Sequence, residues 1–147
     1  MFNTIKNLFS TPVRDDLAMS YQTAVASLLI EVMLADHHVD EAEEKQIKAV
    51  LRDVSELGDD IDGLFTEARS GVEQAHDLYQ FTKVINDVAS LDQKMELLRG
   101  LWRVALSDGE VDAHEDVRIR RISELLFLSH SEFIQAKLYV QAEYKKE

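Results

Sequence analysis

An internal repeat with an offset of 72 residues constrains this chain more than any other feature. Residues 33–44 read MLADHHVDEAEE, and residues 105–116 read ALSDGEVDAHED. Identical residues stand at corresponding positions: Leu34, Asp36, Val39, Asp40 and Glu43 in the first stretch, and Leu106, Asp108, Val111, Asp112 and Glu115 in the second. The match extends into flanking apolar residues, where Leu29, Val32 and Ile47 correspond to Leu101, Val104 and Ile119. The chain is therefore expected to fold as two related units.

The pattern of apolar residues predicts that both units are helical. Apolar side chains recur at spacings of three and four, which is the periodicity of an amphipathic helix, and no segment sustains the alternation of a strand. One Pro and five Gly in 147 residues leave little room for a turn-rich β architecture. We predict an all-helical single domain of about seven helices over residues 11–147, built from two pseudo-repeated helix-turn-helix halves.

Helix boundaries follow from capping signals. Thr11 and Pro12 predict the start of the first core helix, and Gly71 predicts the end of a later one. Capping boxes are predicted at four places. In a capping box, the cap residue and an acid or amide three positions later each accept a hydrogen bond from the other's backbone amide. The four predicted boxes are Asp40 with Glu43, Ser90 with Gln93, Asp112 with Glu115, and Ser129 with Glu132. Trp102 and Val117 are assigned to the buried faces of their helices.

Composition and charge exclude several classes of function. Twenty-eight acidic residues against sixteen basic ones give a net charge of −12, which opposes binding to nucleic-acid phosphates. There is no cysteine, so disulfides, thiolate metal sites and cysteine nucleophiles are excluded. No apolar run reaches the ~18 residues of a membrane span, and the N-terminus lacks the features of a signal peptide. We expect a cytoplasmic protein that does not bind nucleic acid.

The first ten residues form a separate amphipathic segment in this reading. The stretch FNTIKNLF places four apolar residues on one side of a short helix, namely Phe2, Ile5, Leu8 and Phe9. Such a stripe can lie on a membrane surface or on a partner. The alternative is that it covers part of the domain's own core, because eight residues are marginal for an independent helix.

The acidic turns carry the only constellation of residues that suggests a site. Capping accounts for Asp40 and Asp112. It leaves Asp36 and Asp108 unexplained, because each stands at the end of a helix, where exposed carbonyls disfavour a carboxylate by ~0.3–1 kcal/mol. If the two halves pack about a pseudo-twofold axis, the turns are expected to approach each other.

The turns would then combine six carboxylates into one candidate site: Asp36, Asp40, Glu43, Asp108, Asp112 and Glu115. Carboxylates that share one surface repel each other, and they attract a divalent cation such as Ca²⁺, Mg²⁺, Mn²⁺ or Zn²⁺, or a basic protein partner. The alternative interpretation is that these residues are only helix caps and solvated surface.

Other metal and catalytic motifs fail on spacing. An EF-hand loop with Gly109 at its sixth position would need ligands at Val104 and Leu106, which cannot coordinate calcium. The stretch HEDVR has Arg118 where a zinc-protease helix needs its second histidine. No nucleophile, base and acid can be assembled, and no phosphate-binding glycine loop is present, so we predict a non-enzymatic protein. A metal-dependent hydrolase using the same carboxylates is the alternative.

The stretches SDGEVDAHE and ADHHVDEAE, each closing an apolar helix, resemble the paired acidic motifs of the tellurite-resistance TerB-like family over residues 17–140. The resemblance implies about seven helices in two similar halves, with the six carboxylates on one side binding divalent metal. It also implies a role in a stress response. Similar domains occur attached to a membrane-anchored DnaJ-type co-chaperone, which implies scaffolding near the inner membrane. His37 departs from the pattern, because the first copy usually has glycine there.

Overall fold

The computed structural model of the protein describes residues 20–36, 41–54, 61–74, 77–107, 109 and 111–145. These residues form seven α-helices and one short 3₁₀ turn, and no strand occurs among them. The elements are α1 (Tyr21–Met33), the 3₁₀ turn η1 (Leu34–Asp36), α2 (Glu41–Val54), α3 (Ile61–Gln74), α4 (Tyr79–Val88), α5 (Leu91–Ala105), α6 (Ala113–Leu125) and α7 (His130–Lys145). The prediction of an all-helical fold is confirmed. The N-terminal stripe of Phe2, Ile5, Leu8 and Phe9 lies outside the described residues.

The 72-residue repeat of the sequence is also a repeat of the structure. It relates α1 to α5, α2 to α6 and α3 to α7; for example, α2 begins at residue 41 and α6 at residue 113. Within the first half α1 packs on α2 and α3, and within the second half α5 packs on α6 and α7. Between the halves α1 packs on α5 and α6, while α5 packs on α1 and α2. Each of these contacts has its counterpart, so the halves are related by a pseudo-twofold axis.

The hydrophobic core lies between the two leading helices, α1 and α5. In α1, nine of thirteen residues are buried, because this helix has neighbours on several sides. Trp102 of α5 is fully buried, and its ring meets the ring of Phe133 from α7 edge to face at 5.3 Å. The prediction that Trp102 belongs to the core is confirmed. Among the described helices, none combines the length and apolar character required to cross a bilayer.

A glycine sets how closely α5 approaches α2 of the other half. A Cβ atom built on Gly100 of α5 would lie 2.7 Å from Val50 Cγ1 of α2 and 3.7 Å from Leu29 Cδ2 of α1. Real Cβ atoms do not approach a neighbour as closely as 2.7 Å, and the β-branched valine side chain is stiff. Gly100 therefore lets three helices from both halves meet at one point.

One ion pair joins the halves at the edge of this core. The guanidinium of Arg118 in α6 donates to Glu31 Oε2 in α1 at 2.6 Å. Only 14% of the Glu31 side chain is exposed. Burial raises the pKa of the Glu31 carboxyl, and the neighbouring Arg118 offsets part of that rise. The pair fixes the end of α1 against the middle of α6.

Most helix starts agree with the capping signals. The capping boxes at Ser90, Asp112 and Ser129 are all formed. Asp40 lies outside the described residues, so the fourth box stays a prediction. α1 begins at Tyr21, because Ser20 is extended and its hydroxyl accepts from the Thr23 amide at 3.0 Å. Thr11 and Pro12 lie outside the described residues, so the helix start predicted there stays a prediction.

Two predictions about helix interiors are wrong. α3 continues through Gly71 to Gln74 instead of ending at the glycine. A glycine inside a helix costs only ~1 kcal/mol relative to alanine, and burial of Val72 in the next position offsets that cost. Val117 is 65% exposed, although its spacing suggested the core. Ile119 and Ile122 occupy the buried face of α6 instead.

Replacing Gly100 by alanine tests the close approach. The added methyl group must displace Val50, so Gly100→Ala is expected to lower the free energy of unfolding by ~1–2 kcal/mol despite alanine's better helix propensity. The control is Gly71→Ala, where a Cβ meets no atom within 4 Å and a gain of ~0.5–1 kcal/mol is expected. Urea unfolding followed by Trp102 fluorescence measures both. A gain in stability for Gly100→Ala would contradict this packing.

Candidate acidic site

The second acidic turn ends in a fully formed capping box at the start of α6. Asp112 is extended, and its carboxylate oxygen Oδ1 accepts from the His114 amide at 2.7 Å. Glu115 Oε1 accepts in return from the Asp112 amide at 3.2 Å. Glu115 is only 2% exposed, although it is an acidic residue. The box therefore holds one carboxylate at the surface and a second one inside the protein.

The structure describes only part of the predicted six-carboxylate set. Asp112 and Glu115 lie together in the capping box. Asp36 closes η1 and Glu43 lies in the first turn of α2, but their side chains are outside the described part, and Asp40 and Asp108 lie outside the described residues altogether. Among the side chains that the structure does describe, no three acids or histidines are grouped closely enough to hold a metal ion. The shared site stays a prediction.

The packing of η1 bears on whether the two turns approach each other. This 3₁₀ turn, where the first acidic stretch begins, packs against α6, the helix that the second acidic stretch opens. α1 contacts α6 as well, through the Glu31–Arg118 ion pair. Residues 34–36 are therefore held against the second half of the protein, on the helix whose first turn belongs to the second acidic stretch.

The repeat also relates a further pair of acids, which residue identity alone does not reveal. Glu44 in α2 and Asp116 in α6 are related by the 72-residue offset, and each pairs with the cation four residues later. The Glu44 to Lys48 distance is 3.4 Å, and the Asp116 to Arg120 distance is 3.5 Å. At these corresponding positions the two halves carry side chains of the same charge but of different residue types. The signal in the sequence is therefore the charge at each position and not the residue identity.

The cations of these pairs lie over aromatic rings from the third helix of their own half. Lys48 Nζ is 5.2 Å from the centre of the Phe65 ring, and Arg120 Cζ is 4.7 Å from the centre of the Phe133 ring. A cation over a ring face gains electrostatic attraction, typically ~0.5–1 kcal/mol at an exposed site. The second helix of each half is thus tied to the third by the same type of contact.

An open groove lies beside each of these acid–cation pairs. The groove of the second half has a volume of about 680 Å³ and is lined by Leu106, Gly109, Val111, Ala113, Asp116, Val117, Lys137 and Gln141. The groove of the first half has a volume of about 420 Å³ and is lined by Glu44, Lys48, Asp62, Phe65, Thr66, Arg69 and Ser70. Three lining positions of the first groove correspond to lining positions of the second across the 72-residue offset, so the grooves are equivalent features of the repeat. The corresponding positions are 44 and 116, 65 and 137, and 69 and 141. Both grooves are open and combine charged side chains with some apolar surface, unlike the enclosed and mostly apolar pockets that hold small molecules.

The comparisons with known proteins agree with this architecture. The family model described as Tellurite resistance protein TerB matches residues 22–138, which include every helix from α1 to most of α7. Neither the curated proteins nor the solved structures give a match.

Removing the Asp112 cap should destabilise the protein. Asp112→Ala leaves backbone amides at the start of α6 without their acceptor, so the free energy of unfolding is expected to fall by ~1 kcal/mol. Asp112→Asn should retain most of the stability, because asparagine caps about as well as aspartate. Asp92→Ala, at an exposed first-turn position that does not cap α5, is the matched control, with a change within ~0.5 kcal/mol.

Urea unfolding of the three variants provides the measurement. The measurement is made without divalent metal, so that the loss for Asp112→Ala reports the backbone amides alone. A neutral result for Asp112→Ala would mean that the cap does not stabilise the start of α6.

Proposed function

This chain belongs to the TerB family, and we propose that it is a non-enzymatic interaction module whose two acidic turns act as one binding surface. The surface binds a divalent cation or a basic protein partner. The observation that carries the proposal is the packing of η1 on α6, because it holds the start of one acidic stretch against the helix that the other stretch opens. Pooled carboxylates produce a stronger negative potential than either turn alone.

The type of side chain in the surface indicates which cations would suit it. The six candidate ligands are Asp36, Asp40, Glu43, Asp108, Asp112 and Glu115, and all of them offer carboxylate oxygens. Oxygen ligands favour hard cations such as Ca²⁺, Mg²⁺ and Mn²⁺. Zn²⁺ prefers nitrogen and sulfur donors, and the chain contains no cysteine. A calcium-like or magnesium-like ion is the better occupant on these grounds.

The overall charge of the protein supports a basic protein partner as the occupant. A net charge of −12 raises the local concentration of cationic partners and speeds their encounter with the protein. The open grooves beside Glu44 and Asp116 offer apolar surface next to acidic groups. A partner segment with basic and aliphatic side chains would complement both properties.

The family also suggests the cellular setting. Its description refers to tellurite resistance, so we place this module in a stress response of the tellurite type. An amphipathic segment with Phe2, Ile5, Leu8 and Phe9 before the domain suits a position close to a membrane, as expected for a scaffold in a membrane-proximal assembly.

Calorimetric titration with Ca²⁺, Mg²⁺, Mn²⁺ and Zn²⁺ tests the cation arm of the proposal. We expect binding heat from at least one hard cation and a melting temperature that rises with its concentration, since a ligand that binds only the folded state adds stability. Asp36→Asn and Asp108→Asn should both weaken binding, whereas the exposed Asp92→Asn in α5 should not.

A lysine-rich peptide carrying aliphatic residues tests the partner arm, with a glutamate-rich peptide of equal length as its control. Binding of the basic peptide should weaken steeply as salt rises from about 50 to about 500 mM, because exposed charges are screened. The proposal fails if millimolar metal gives neither heat nor a thermal shift and if the basic peptide also does not bind.

A further inference from the structure

Phe127, in the turn between α6 and α7, stands out on two independent grounds. It is the residue with a positive φ among the described non-glycine residues, at 62°. Its side chain is 81% exposed, the largest exposure among the large apolar residues of the described chain. The left-handed conformation favours glycine, and an exposed aromatic side chain gains nothing from burial.

The conformation of Phe127 is fixed by the way α6 ends. The Phe127 amide donates to the Glu124 carbonyl at 3.0 Å, and the Leu128 amide donates to the Ser123 carbonyl at 3.1 Å. This is the Schellman arrangement, whose left-handed position is usually glycine. A phenylalanine in that position is held outward by the backbone rather than by side-chain packing.

Two side chains from neighbouring helices hold this turn in place. Asn86 Nδ2 of α4 donates to the Leu125 carbonyl at 2.9 Å, and Lys94 Nζ of α5 donates to the Leu126 carbonyl at 3.1 Å. Lys94 Nζ also lies 5.9 Å from the centre of the Phe127 ring. The turn is therefore anchored against the junction of α4 and α5.

Other apolar side chains are exposed at the same junction. Val88, the last residue of α4, is 64% exposed, and Leu91, the first residue of α5, is 56% exposed. Leu91 lies one helical turn before Lys94, on the same side of α5. We call these three exposed residues at the junction, Val88, Leu91 and Phe127, the Phe127 patch.

The direction of α1 indicates which segment can reach this patch. Glu31, in the last turn of α1, and Tyr79, at the start of α4, line the same groove. Because α1 and α4 also pack along each other, they run in opposite directions. Ser20, immediately before α1, therefore lies toward the end of α4 that carries Val88.

The segment that enters α1 from this end of the domain has complementary chemistry. Residues 2–9 carry the apolar stripe of Phe2, Ile5, Leu8 and Phe9, with Lys6 on its polar side. Residues 10–19 separate the stripe from Ser20, and ten residues span at most about 33 Å. A tethered segment also has a high effective concentration at any surface within its reach.

We propose that residues 2–9 of this chain dock on the Phe127 patch, so that the apolar stripe covers Val88, Leu91 and Phe127. Docking hides the stripe and the patch at the same time. The domain would then carry its own competitor for any membrane or partner that binds the stripe. This inference does not depend on the acidic surface.

The lack of native cysteine allows a direct test by cross-linking in the full chain. Lys6→Cys is paired with Asp92→Cys, an exposed position next to Leu91, so the stripe and the patch both stay intact. The control pairs Lys6→Cys with Ala142→Cys, an exposed position twelve residues into α7 and therefore about 18 Å along that helix from its start. A short bismaleimide joins cysteines that lie close together, and intact mass separates joined monomers from dimers.

We expect the joined monomer to form at least about fivefold more with the Asp92 position than with the control, reflecting the higher effective concentration of a docked segment. Phe127→Asn should remove this difference, because asparagine accepts the left-handed conformation and lacks the ring. Circular dichroism and Trp102 emission check that each variant is folded.

Three results would overturn the proposal. Equal yields at positions 92 and 142 would show that the segment does not prefer the patch. A yield that Phe127→Asn leaves unchanged would show that the ring plays no part. Dimers cross-linked through two Asp92→Cys positions, rising with protein concentration, would show that a second copy covers the patch instead.

Discussion

The packing of α1 against α5 is the contact on which the rest of the structure depends. Each helix leads one half of the repeat, yet each buries much of its surface against the other half. Gly100 of α5 also permits a close approach to α2 of the other half, since a side chain at that position would collide with Val50. The two halves therefore share one core, and the same pseudo-twofold packing places η1 against α6.

The acids described in the second stretch are held in place rather than free to move. Asp112 and Glu115 are bound to backbone amides in the capping box, and Asp116 lies between Arg120 at 3.5 Å and Lys137 at 3.6 Å. If these acids bind a ligand as proposed, their side chains are already ordered, so less entropy is lost when the ligand arrives.

Much of the fold could be predicted from the sequence. The spacing of apolar residues within each segment indicates a helix, and the repeat indicates that two sets of helices have the same arrangement. Boundaries were harder to predict where tertiary contacts decide them. Burial of Val72 carries α3 past Gly71, and Val117 faces solvent because Ile119 and Ile122 already fill the core side of α6. The ion pairs of Glu44 and Asp116 are related by charge and not by residue identity, so identical residues alone do not reveal them. The patch at Phe127 left no sequence signal, since glycine is the residue that usually marks such a turn.

The central claim is that the two acidic turns lie in one another's electrostatic field. A double-mutant cycle on the free energy of unfolding, with Asp36→Asn and Asp108→Asn at low ionic strength and without metal, measures this coupling most directly. The account predicts that the double variant departs from the sum of the single variants by at least ~0.5 kcal/mol, and that added salt reduces the departure. Additivity within ~0.3 kcal/mol at low salt would contradict it.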